Sequence, residues 1–235
     1  MSNSTPAVAM ILAAGRGQRM RPLTDDCPKP MLRVAGQPLI FYHLRNLARA
    51  GVQRVVINHA WHGEVMQAAV ADGREFGLEV IWSAEPPGGL ETAGGIIRAL
   101  PHLGGADFIV VNGDVWSDFD YKHLSALAPE QLGHLVLVPN PEHHPGGDFT
   151  LSDGEVRVAC DQTQTYTFAG ISVLHSKLFA GQVERFLKLR PFLEQAISAG
   201  RLSGELFGGD WCDVGTPTRL AQLDAHLRAK QKVGS

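Results

Sequence analysis

Near the start of the chain, a loop of small residues is accompanied by four cationic side chains, Arg16, Arg19, Arg21 and Lys29. The loop, 13–17 with the sequence AAGRG, comes directly after an apolar run at 8–12. A strand that opens into such a loop leaves backbone N–H groups uncommitted, and these groups can bind phosphate oxygens. Small side chains at Ala13 and Ala14 would let a base or a ribose approach the backbone. The segment therefore predicts a ligand with several negative charges, such as a nucleoside triphosphate.

Two known glycine motifs do not fit this loop. The dinucleotide fingerprint needs a third Gly or Ala and an acidic residue about 20 positions later. Here the third position is Met20, and the acidic pair Asp25-Asp26 comes too early. The P-loop needs Gly-Lys followed by Ser or Thr, and the sequence contains no such triplet. An ordinary turn with solvated arginines remains the alternative interpretation.

Two aspartates close to glycines are candidate ligands of Mg²⁺. Asp114 follows the apolar run 108–111 in the sequence NGDVW, and Asp213 lies in WCDVGTP. Magnesium prefers one or two carboxylates together with phosphate oxygens and water. Ligands of parallel sheets bind beyond the carboxyl ends of the strands, so the Asp114 turn is expected near the glycine loop. For each aspartate alone, a helix N-cap or an Asx turn is the alternative.

Other polar residues allow two interpretations each. Glu85, in the sequence EPPGGLETAGG, can accept from a base N–H or belong to a plain Gly/Pro loop. Lys188 is a second phosphate cation or a solvated lysine, and its spacing favours the latter. His143 and His144 with Asp148 suggest zinc, but a structural or substrate-contacting loop is favoured because further spaced ligands are lacking. The sequence has no recognisable nucleophile and base pattern, so covalent catalysis is unsupported.

Composition excludes several classes of protein. The 235 residues are 44% hydrophobic and 19% charged, as in soluble globular proteins, and the net charge of −3 gives no basic field for nucleic acid. Cys27, Cys160 and Cys212 match no zinc or disulfide pattern, which favours a reducing compartment. The first seven residues carry no positive charge, unlike a signal peptide, and no apolar run reaches the ~20 residues of a membrane span. We expect a cytoplasmic protein.

The elements that position these residues alternate between strands and helices in the first half of the chain. Apolar runs predict strands at 8–12, 54–58, 78–82, 108–111 and 135–138. Helical periodicity predicts helices at 39–51, 64–71, 92–100, 191–199 and 217–230. Antiparallel strands are expected at 149–151, 155–158 and 166–174. No linker divides the sequence, so we expect one α/β domain, 1–235, with a mainly parallel sheet and a strand-rich insertion.

Five segments, in this order, resemble the sugar-1-phosphate nucleotidyltransferases: LAAGRGQRMRPLTDDCPKPML, GGLETAGGI, VNGDVWSD, TFAGISVL and WCDVGTP. The likeness extends from Met10 to about Leu220. Within the family, INHAW, VLVPNPEHH, GGDF and FLKLRPFL are most similar to N-acetylmuramate-1-phosphate uridylyltransferases of bacterial cell-wall recycling. The resemblance implies a Rossmann-like, glycosyltransferase-A-like fold, a mixed, mainly parallel sheet flanked by helices with a small β-rich insertion for the sugar.

The resemblance also implies an activity: N-acetylmuramic acid α-1-phosphate and UTP would give the UDP-sugar and pyrophosphate, by Mg²⁺-assisted in-line attack on the α-phosphate. Mannose-1-phosphate guanylyltransferase and glucose-1-phosphate uridylyltransferase are the alternatives, and a non-catalytic sugar-nucleotide sensor is less favoured. The expected partners are small-molecule substrates, with no nucleic acid and no membrane, and the expected assembly is a monomer or weak homodimer.

Roles follow from the resemblance residue by residue. The implied catalytic residues are Arg19, Lys29, Asp114 and Lys188, and the implied Mg²⁺ ligands are Asp114 and Asp213. The implied nucleotide contacts are Leu12, Ala13, Ala14, Gly15, Gly17, Arg19, Glu85, Gly89 and Asn112. The implied contacts with the sugar or its phosphate are Asn140, Gly147, Asp148, Gly170, Lys188 and Glu205.

Overall fold

A nine-stranded mixed sheet forms the centre of the described part of the molecule. The computed structural model describes residues 4–159 and 163–233, so Cys160 lies outside the described residues. The strands are β1 (Val8–Leu12), β2 (Arg33–Val34), β3 (Gln37–Pro38), β4 (Arg54–His59), β5 (Glu79–Ala84), β6 (Asp107–Asn112), β7 (Val115–Ser117), β8 (Gly133–Val138), β9 (Phe149–Ser152), β10 (Glu155–Val158), β11 (Thr167–His175), β12 (Leu202–Leu206) and β13 (Trp211–Asp213). The α-helices are α1 (Leu39–Arg49), α2 (Gly63–Val70), α3 (Glu91–Ala99), α4 (Arg190–Ser198) and α5 (Pro217–Val233).

The order of strands in the large sheet is β5-β4-β1-β6-β11-β8-β12-β10-β9. Strands β5, β4, β1 and β6 are parallel to one another, as are β8 and β12. Strand β11 runs antiparallel to both β6 and β8, and β10 runs antiparallel to β12 and β9. The expectation of a mixed, mainly parallel sheet flanked by helices is therefore confirmed.

Both faces of the first strands are covered, which explains why their sequences are continuous apolar runs. On one face of β1, Ile11 packs in a cluster with Leu44 and Leu47 of α1. On the other face, Met10 packs in a cluster with Ile96 of α3. All five side chains are fully buried. The alternation of side chains along β1 thus fixes which helix covers each face.

The strand-rich second half differs in detail from the predicted insertion. Strands β9, β10 and β11 are antiparallel to their neighbours, as expected, but they continue the central sheet. Strand β12 and two ribbons, β2 with β3 and β7 with β13, were missed. The strands of the two ribbons have two or three residues, too few to show a period of two in sequence. Among the described helices, none is long and apolar enough to cross a membrane.

Candidate active site

A cleft of about 490 Å³ lies at the carboxyl ends of β1, β4 and β6. Parallel strands end at the same edge of a sheet, and polar groups that follow them converge there. The cleft thereby brings together most residues implied for the nucleotide and the catalytic centre: Leu12, Ala13, Ala14, Gly15, Gly17, Arg19, Lys29, Glu85, Gly89, Asn112 and Asp114. Sequence reasoning from separate motifs therefore located one continuous cavity.

The glycine loop begins with a hydrogen bond that the sequence did not reveal. Ala13 N donates to Asn58 Oδ1 at 2.7 Å, so this N–H is committed, contrary to the prediction of an uncommitted loop. Asn58 is a buried polar residue in β4, next to the carboxyl end of this neighbour of β1, and that position was the missed signal. Among the described residues, no acceptor is recorded for the N–H groups of 14–16. These groups stay available to a ligand.

Glu85 is tied to the protein through both carboxylate oxygens. Asn58 Nδ2 donates to its Oε1 at 2.6 Å, and Leu90 N donates to its Oε2 at 2.8 Å. Burial raises the pKa of Glu85, while these two hydrogen bonds act in the opposite direction. The carboxylate lines the cleft, but its first task is to join the end of β4 to the loop before α3. The glycine at 95 makes room for it, because a Cβ there would lie 2.3 Å from Oε1.

The four predicted phosphate cations fall into two groups. Arg16 donates to Thr24 O at 2.7 Å and stacks on Trp61, and Arg21 pairs with Asp25 at 2.7 Å outside the cleft lining. Arg21 lowers the pKa of Asp25 through this hydrogen bond. Arg19 is exposed in the cleft and has no ion pair among the described residues. Of these cations, Arg16 and Arg21 are thus held by nearby acceptors of the protein, whereas Arg19 is open to a ligand in the cleft.

Lys29 and Asp114 form an ion pair in the cleft. Lys29 Nζ lies 2.5 Å from Asp114 Oδ2, and the lysine side chain is only 10% exposed. The preceding glycine places the aspartate: Gly113 N donates to Leu12 O at 2.8 Å, and a Cβ on Gly113 would lie 2.8 Å from the same oxygen. The turn after β6 thus presses against the end of β1. Asp114 is held beside the glycine loop as a result.

Asp213 lies next to this turn through the short ribbon of β7 and β13. Val214 N donates to Asp114 O at 2.8 Å, which joins the two aspartate segments. The Asp213 carboxylate lies 2.9 Å from His143 Nε2 and 3.1 Å from Arg219 Nη2. Asp213 Oδ1 is the oxygen in the His143 contact; it is buried, and no hydrogen bond of ordinary geometry reaches it in the described part of the chain. Asp213 is not itself among the residues that line the cleft.

The residues implied for the sugar are placed differently. Asn140 bonds with Thr165 and Thr167, and Asp148 Oδ2 accepts from Phe168 N at 2.9 Å. Glu205 lies 3.4 Å from His134, and Lys188 is exposed. Within residues 4–159 and 163–233, the following implied residues do not line the nucleotide cleft: Asn140, Gly147, Asp148, Gly170, Lys188 and Glu205. The structure does not bring them into the same cavity as the glycine loop.

Gly170 lies where the region of the residues implied for the sugar, the second region, contacts the nucleotide cleft. It has a φ of 72° in β11, at a shift in the register with β8. A Cβ on Gly170 would lie 2.6 Å from Asn112 Nδ2, and Asn112 lines the cleft. A side chain at 170 would therefore displace Asn112. The described residues contain no cluster of three or more His, Cys, Asp or Glu side chains suited to a metal.

Comparison with known proteins gives consistent matches. A family model described as nucleotidyl transferase matches residues 8–147. N-acetylmuramate alpha-1-phosphate uridylyltransferase of Neisseria meningitidis serogroup B is 48% identical over 223 residues, which cover 92% of this chain and 96% of that protein. The protein of the same name from Caulobacter vibrioides is 32% identical, with 96% and 98% covered. The structure of the inositol-1-phosphate CTP transferase from T. maritima has a TM-score of 0.75 at 20% identity, covers 96% and 98% of the two chains, and shows the fold alone.

Proposed function

The chain belongs to the nucleotidyl transferase family, and we propose that it transfers the uridylyl group of UTP to N-acetylmuramate α-1-phosphate, giving UDP-N-acetylmuramate and pyrophosphate. One observation carries the proposal: a single cleft combines the Lys29–Asp114 pair with loop N–H groups and an Arg19 side chain that have no partner among the described residues. Two relatives covered almost end to end carry the uridylyltransferase name, which supports this base and this sugar. The cell-wall recycling role named by the sequence resemblance is consistent with that substrate.

The chemistry brings two anions together. A phosphate oxygen of the sugar 1-phosphate attacks the α-phosphorus of UTP in line, and the bond from that phosphorus to the bridging oxygen breaks. Pyrophosphate leaves with the electron pair, and the nucleophile is already an anion, so no protein base is needed. Positioning and charge stabilisation therefore supply most of the catalysis.

Three groups in the cleft bind or stabilise the phosphates in this step. The N–H groups of 14–16 and the guanidinium of Arg19 bind the triphosphate, where donors and a free cation meet. Lys29 faces the reacting centre beside Asp114 and neutralises charge on the transferred phosphate. At an effective dielectric constant near 20, two unit charges 4 Å apart interact by about 4 kcal/mol. A buried lysine at this position therefore raises kcat strongly in the proposed reaction.

The donor set beside Lys29 fits Mg²⁺. Asp114 and Asp213 supply carboxylate oxygens, and the buried Oδ1 of Asp213, although 2.9 Å from His143 Nε2, accepts no hydrogen bond of ordinary geometry among the described residues. Two carboxylates with substrate phosphates and water match the preference of this ion. We propose that Asp114 and Asp213 hold Mg²⁺, which when bound screens the repulsion between the substrates.

The sugar is assigned to the second region. Asn140, Gly147 and Asp148 form one loop, which we propose lies around the sugar ring, with Gly170 linking that loop's side of the sheet to Asn112. Glu205 and the exposed Lys188 complete the proposed set, with Lys188 on the sugar phosphate. The assembly proposed is a monomer or weak homodimer in the cytoplasm.

One experiment tests the reaction. Pyrophosphate release is measured over a grid of four nucleoside triphosphates and three sugar 1-phosphates (N-acetylmuramate, mannose and glucose), with Mg²⁺ and with a chelator. We expect the highest kcat/KM with UTP and N-acetylmuramate α-1-phosphate, and loss of turnover with chelator. Preference for mannose 1-phosphate with GTP, or for glucose 1-phosphate with UTP, would replace the proposal with that activity. Calorimetric binding of the UDP-sugar without turnover in any cell of the grid would indicate a sensor.

A further inference from the structure

The turn 60–62, which follows β4, contacts the glycine loop and the segment that comes after this loop. The guanidinium carbon of Arg16 lies 3.5 Å from the centroid of the Trp61 ring. Arg16 Nη1 and Trp61 Nε1 both donate to Thr24 O, at 2.7 and 3.0 Å. One carbonyl thus accepts from both partners of a stacked pair. The arginine has a face covered by the indole and one of its nitrogens directed at the backbone.

Further contacts extend the fastening to Asp25. Arg16 Nη2 lies 3.4 Å from the Asp25 carboxylate, and His62 Nε2 lies 2.9 Å from the Asp25 carbonyl oxygen. The turn that carries these side chains is tightly packed. A Cβ on Gly63 would lie 1.9 Å from His59 Nδ1, and His62 itself has a φ of 47°. This close packing restricts the backbone conformation of the turn that carries Trp61.

The same stretch of chain holds the glycine loop at both ends. Asn58 accepts from Ala13 N at the start of the loop, and Trp61 covers Arg16 near its end. Met20, four residues after Arg16, is buried in an apolar cluster with Leu39 and Trp116. The N–H groups of 14–16 lie between these two attachments. Thr24 also holds the end of the loop, since its Oγ1 donates to Gly17 O at 2.9 Å and its carbonyl accepts from Arg16 and Trp61. The direction of the loop N–H groups in space depends on these attachments, because losing one lets the loop sample other backbone conformations.

We propose that Arg16 and Trp61 form a clasp that fixes the nucleotide-binding conformation of the glycine loop, and that Arg16 is a positioning residue and not a phosphate ligand. To reach a phosphate, the guanidinium would give up the indole face and its bond to Thr24 O, both favourable contacts. Arg19, unpaired in the cleft among the described residues, remains the phosphate cation of the loop. The clasp rests on the proposed function only for the identity of the nucleotide.

A double-mutant cycle with nucleotide binding as the readout separates a clasp from a phosphate contact. UTP, UDP and UMP are titrated calorimetrically into wild type, Arg16→Ala, Trp61→Ala and the double variant. We expect each single change to weaken UTP binding about tenfold and the double change to add little, since both remove one unit. For each nucleotide the loss is expected to be the same in Arg16→Ala and in Trp61→Ala, because both release the loop N–H groups that bind the phosphates. Additive losses, or a loss that grows with the number of phosphates in Arg16→Ala but not in Trp61→Ala, would overturn the proposal.

Conservative variants sharpen the distinction. Arg16→Lys keeps the charge but loses the planar stack and the fork of donors, so it is expected to bind UTP as weakly as Arg16→Ala. Trp61→Phe keeps an aromatic face and loses only the Nε1 donor, so binding is expected to fall between wild type and Trp61→Ala. Full binding by Arg16→Lys would assign the arginine to phosphate charge and would contradict the clasp.

A readout without nucleotide keeps the clasp separate from the proposed function. Hydrogen exchange of Ala13 and Met20, whose N–H groups donate to Asn58 Oδ1 and Gly17 O on either side of the loop, is expected to speed up about tenfold in the free protein in Arg16→Ala and Trp61→Ala. Arg21→Ala, which removes the neighbouring exposed pair with Asp25 but no contact with Trp61, is the matched control and is expected to match wild type. Unchanged exchange in the two clasp variants, or equal acceleration in Arg21→Ala, would overturn the clasp. Failure of wild type to bind UTP would count against the function alone.

Discussion

The two ends of the proposed site use their polar groups in opposite ways. At the nucleotide end, the loop N–H groups of 14–16 and the Arg19 side chain have no recorded protein partner among the described residues. At the sugar end, the side chain of Asn140 bonds with Thr165, Thr167 and the Pro145 carbonyl. Asp148 likewise accepts from Phe168 N and lies 3.2 Å from His144.

This difference reflects what each end must recognise. A triphosphate presents the same charged oxygens in every nucleotide, so free backbone donors fixed beside a strand are sufficient. A particular sugar is recognised by its shape and its hydroxyl groups, and polar side chains held by a network give that specificity. At the proposed nucleotide end, polar groups have no protein partner among the described residues and can bind a ligand. At the proposed sugar end, hydrogen bonds within the protein fix the conformation of the loop.

The largest expected effect lies at the nucleotide end. Lys29→Ala removes the buried cation and leaves Asp114 without its partner at 2.5 Å, so kcat is expected to fall by roughly two to three decades. Pyrophosphate release under saturating substrates measures the change. The matched control is Lys177→Ala, an exposed lysine on the far connection after β11, which should keep the wild-type rate. A wild-type kcat in Lys29→Ala would remove this lysine from the reacting centre.

A second prediction concerns a buried histidine next to the nucleotide end. His43 of α1 is buried close to Asp114 and Val115, and desolvation lowers its pKa from 6.5 to about 4. Between these two values the unfolded chain binds a proton that the folded protein does not, so stability is complete above pH 6.5 and declines as the pH falls towards 4. The loss is about 3 kcal/mol, at about 1.4 kcal/mol for each pKa unit.

Denaturant unfolding of wild type and His43→Gln at pH 7 and pH 4.5 measures this contribution. The glutamine can keep a bond with the Tyr121 hydroxyl, which lies 3.2 Å from His43 Nδ1, but it does not titrate. The variant should therefore lose less stability between the two pH values than wild type. His102→Gln, at an exposed histidine, is the control and should behave as wild type. Parallel pH dependence in all three proteins would exclude His43 as the source.

Long periodic patterns explain why most of the fold could be predicted. The strand at 8–12 and the helix at 39–49 bury continuous or regularly spaced apolar residues, and such patterns are visible without tertiary information. The ribbon of β7 and β13 could not be predicted, because its strands are three residues long and pair only across the fold. That ribbon is the element that brings the Asp213 segment to Asp114.

Local motifs located the cleft, but the partners of its charged groups depend on distant residues. Arg16 and Arg19 are alike in type and close in sequence, but Arg16 contacts Trp61, Thr24 O and Asp25, whereas Arg19 has no ion pair among the described residues. Glu85 has the chemistry to accept from a base, yet Asn58 and Leu90 use both of its oxygens. Sequence gives the type of each side chain. The competition between ligand and protein for that side chain is decided by the fold.

A pair of glycine substitutions compares the two ends directly. A Cβ at 95 would lie 2.3 Å from Glu85 Oε1 and 2.8 Å from Asn58 Nδ2. Gly95→Ala should therefore disturb the hydrogen bonds that hold Ala13 N and raise the KM for UTP about tenfold. A Cβ at 147 would lie 2.6 Å from Asn140 Oδ1. Gly147→Ala should raise the KM for the sugar 1-phosphate and leave that for UTP unchanged.

Backbone strain needs its own control at 147, because the φ of Gly147 is 60°. Gly200 has a φ of 66°, and a Cβ there would meet no atom within 4 Å. Gly200→Ala therefore reproduces the strain without the contact and should change only thermal stability. If Gly95→Ala and Gly147→Ala raised the same KM, the division into two ends would be wrong.

The smallest effect is expected from Lys188→Ala. The lysine is exposed, so its attraction to the sugar phosphate is screened and the KM for the sugar 1-phosphate should rise only a few-fold, as for exposed pairs worth under about 1 kcal/mol. Its backbone neighbour is firmly held, since Leu187 N donates to Leu90 O and Leu187 O accepts from Ala93 N. The side chain thus starts from a fixed point beside α3. Added salt should shrink the difference between wild type and variant, whereas a salt-independent change, or one in the KM for UTP, would place Lys188 at the nucleotide end instead.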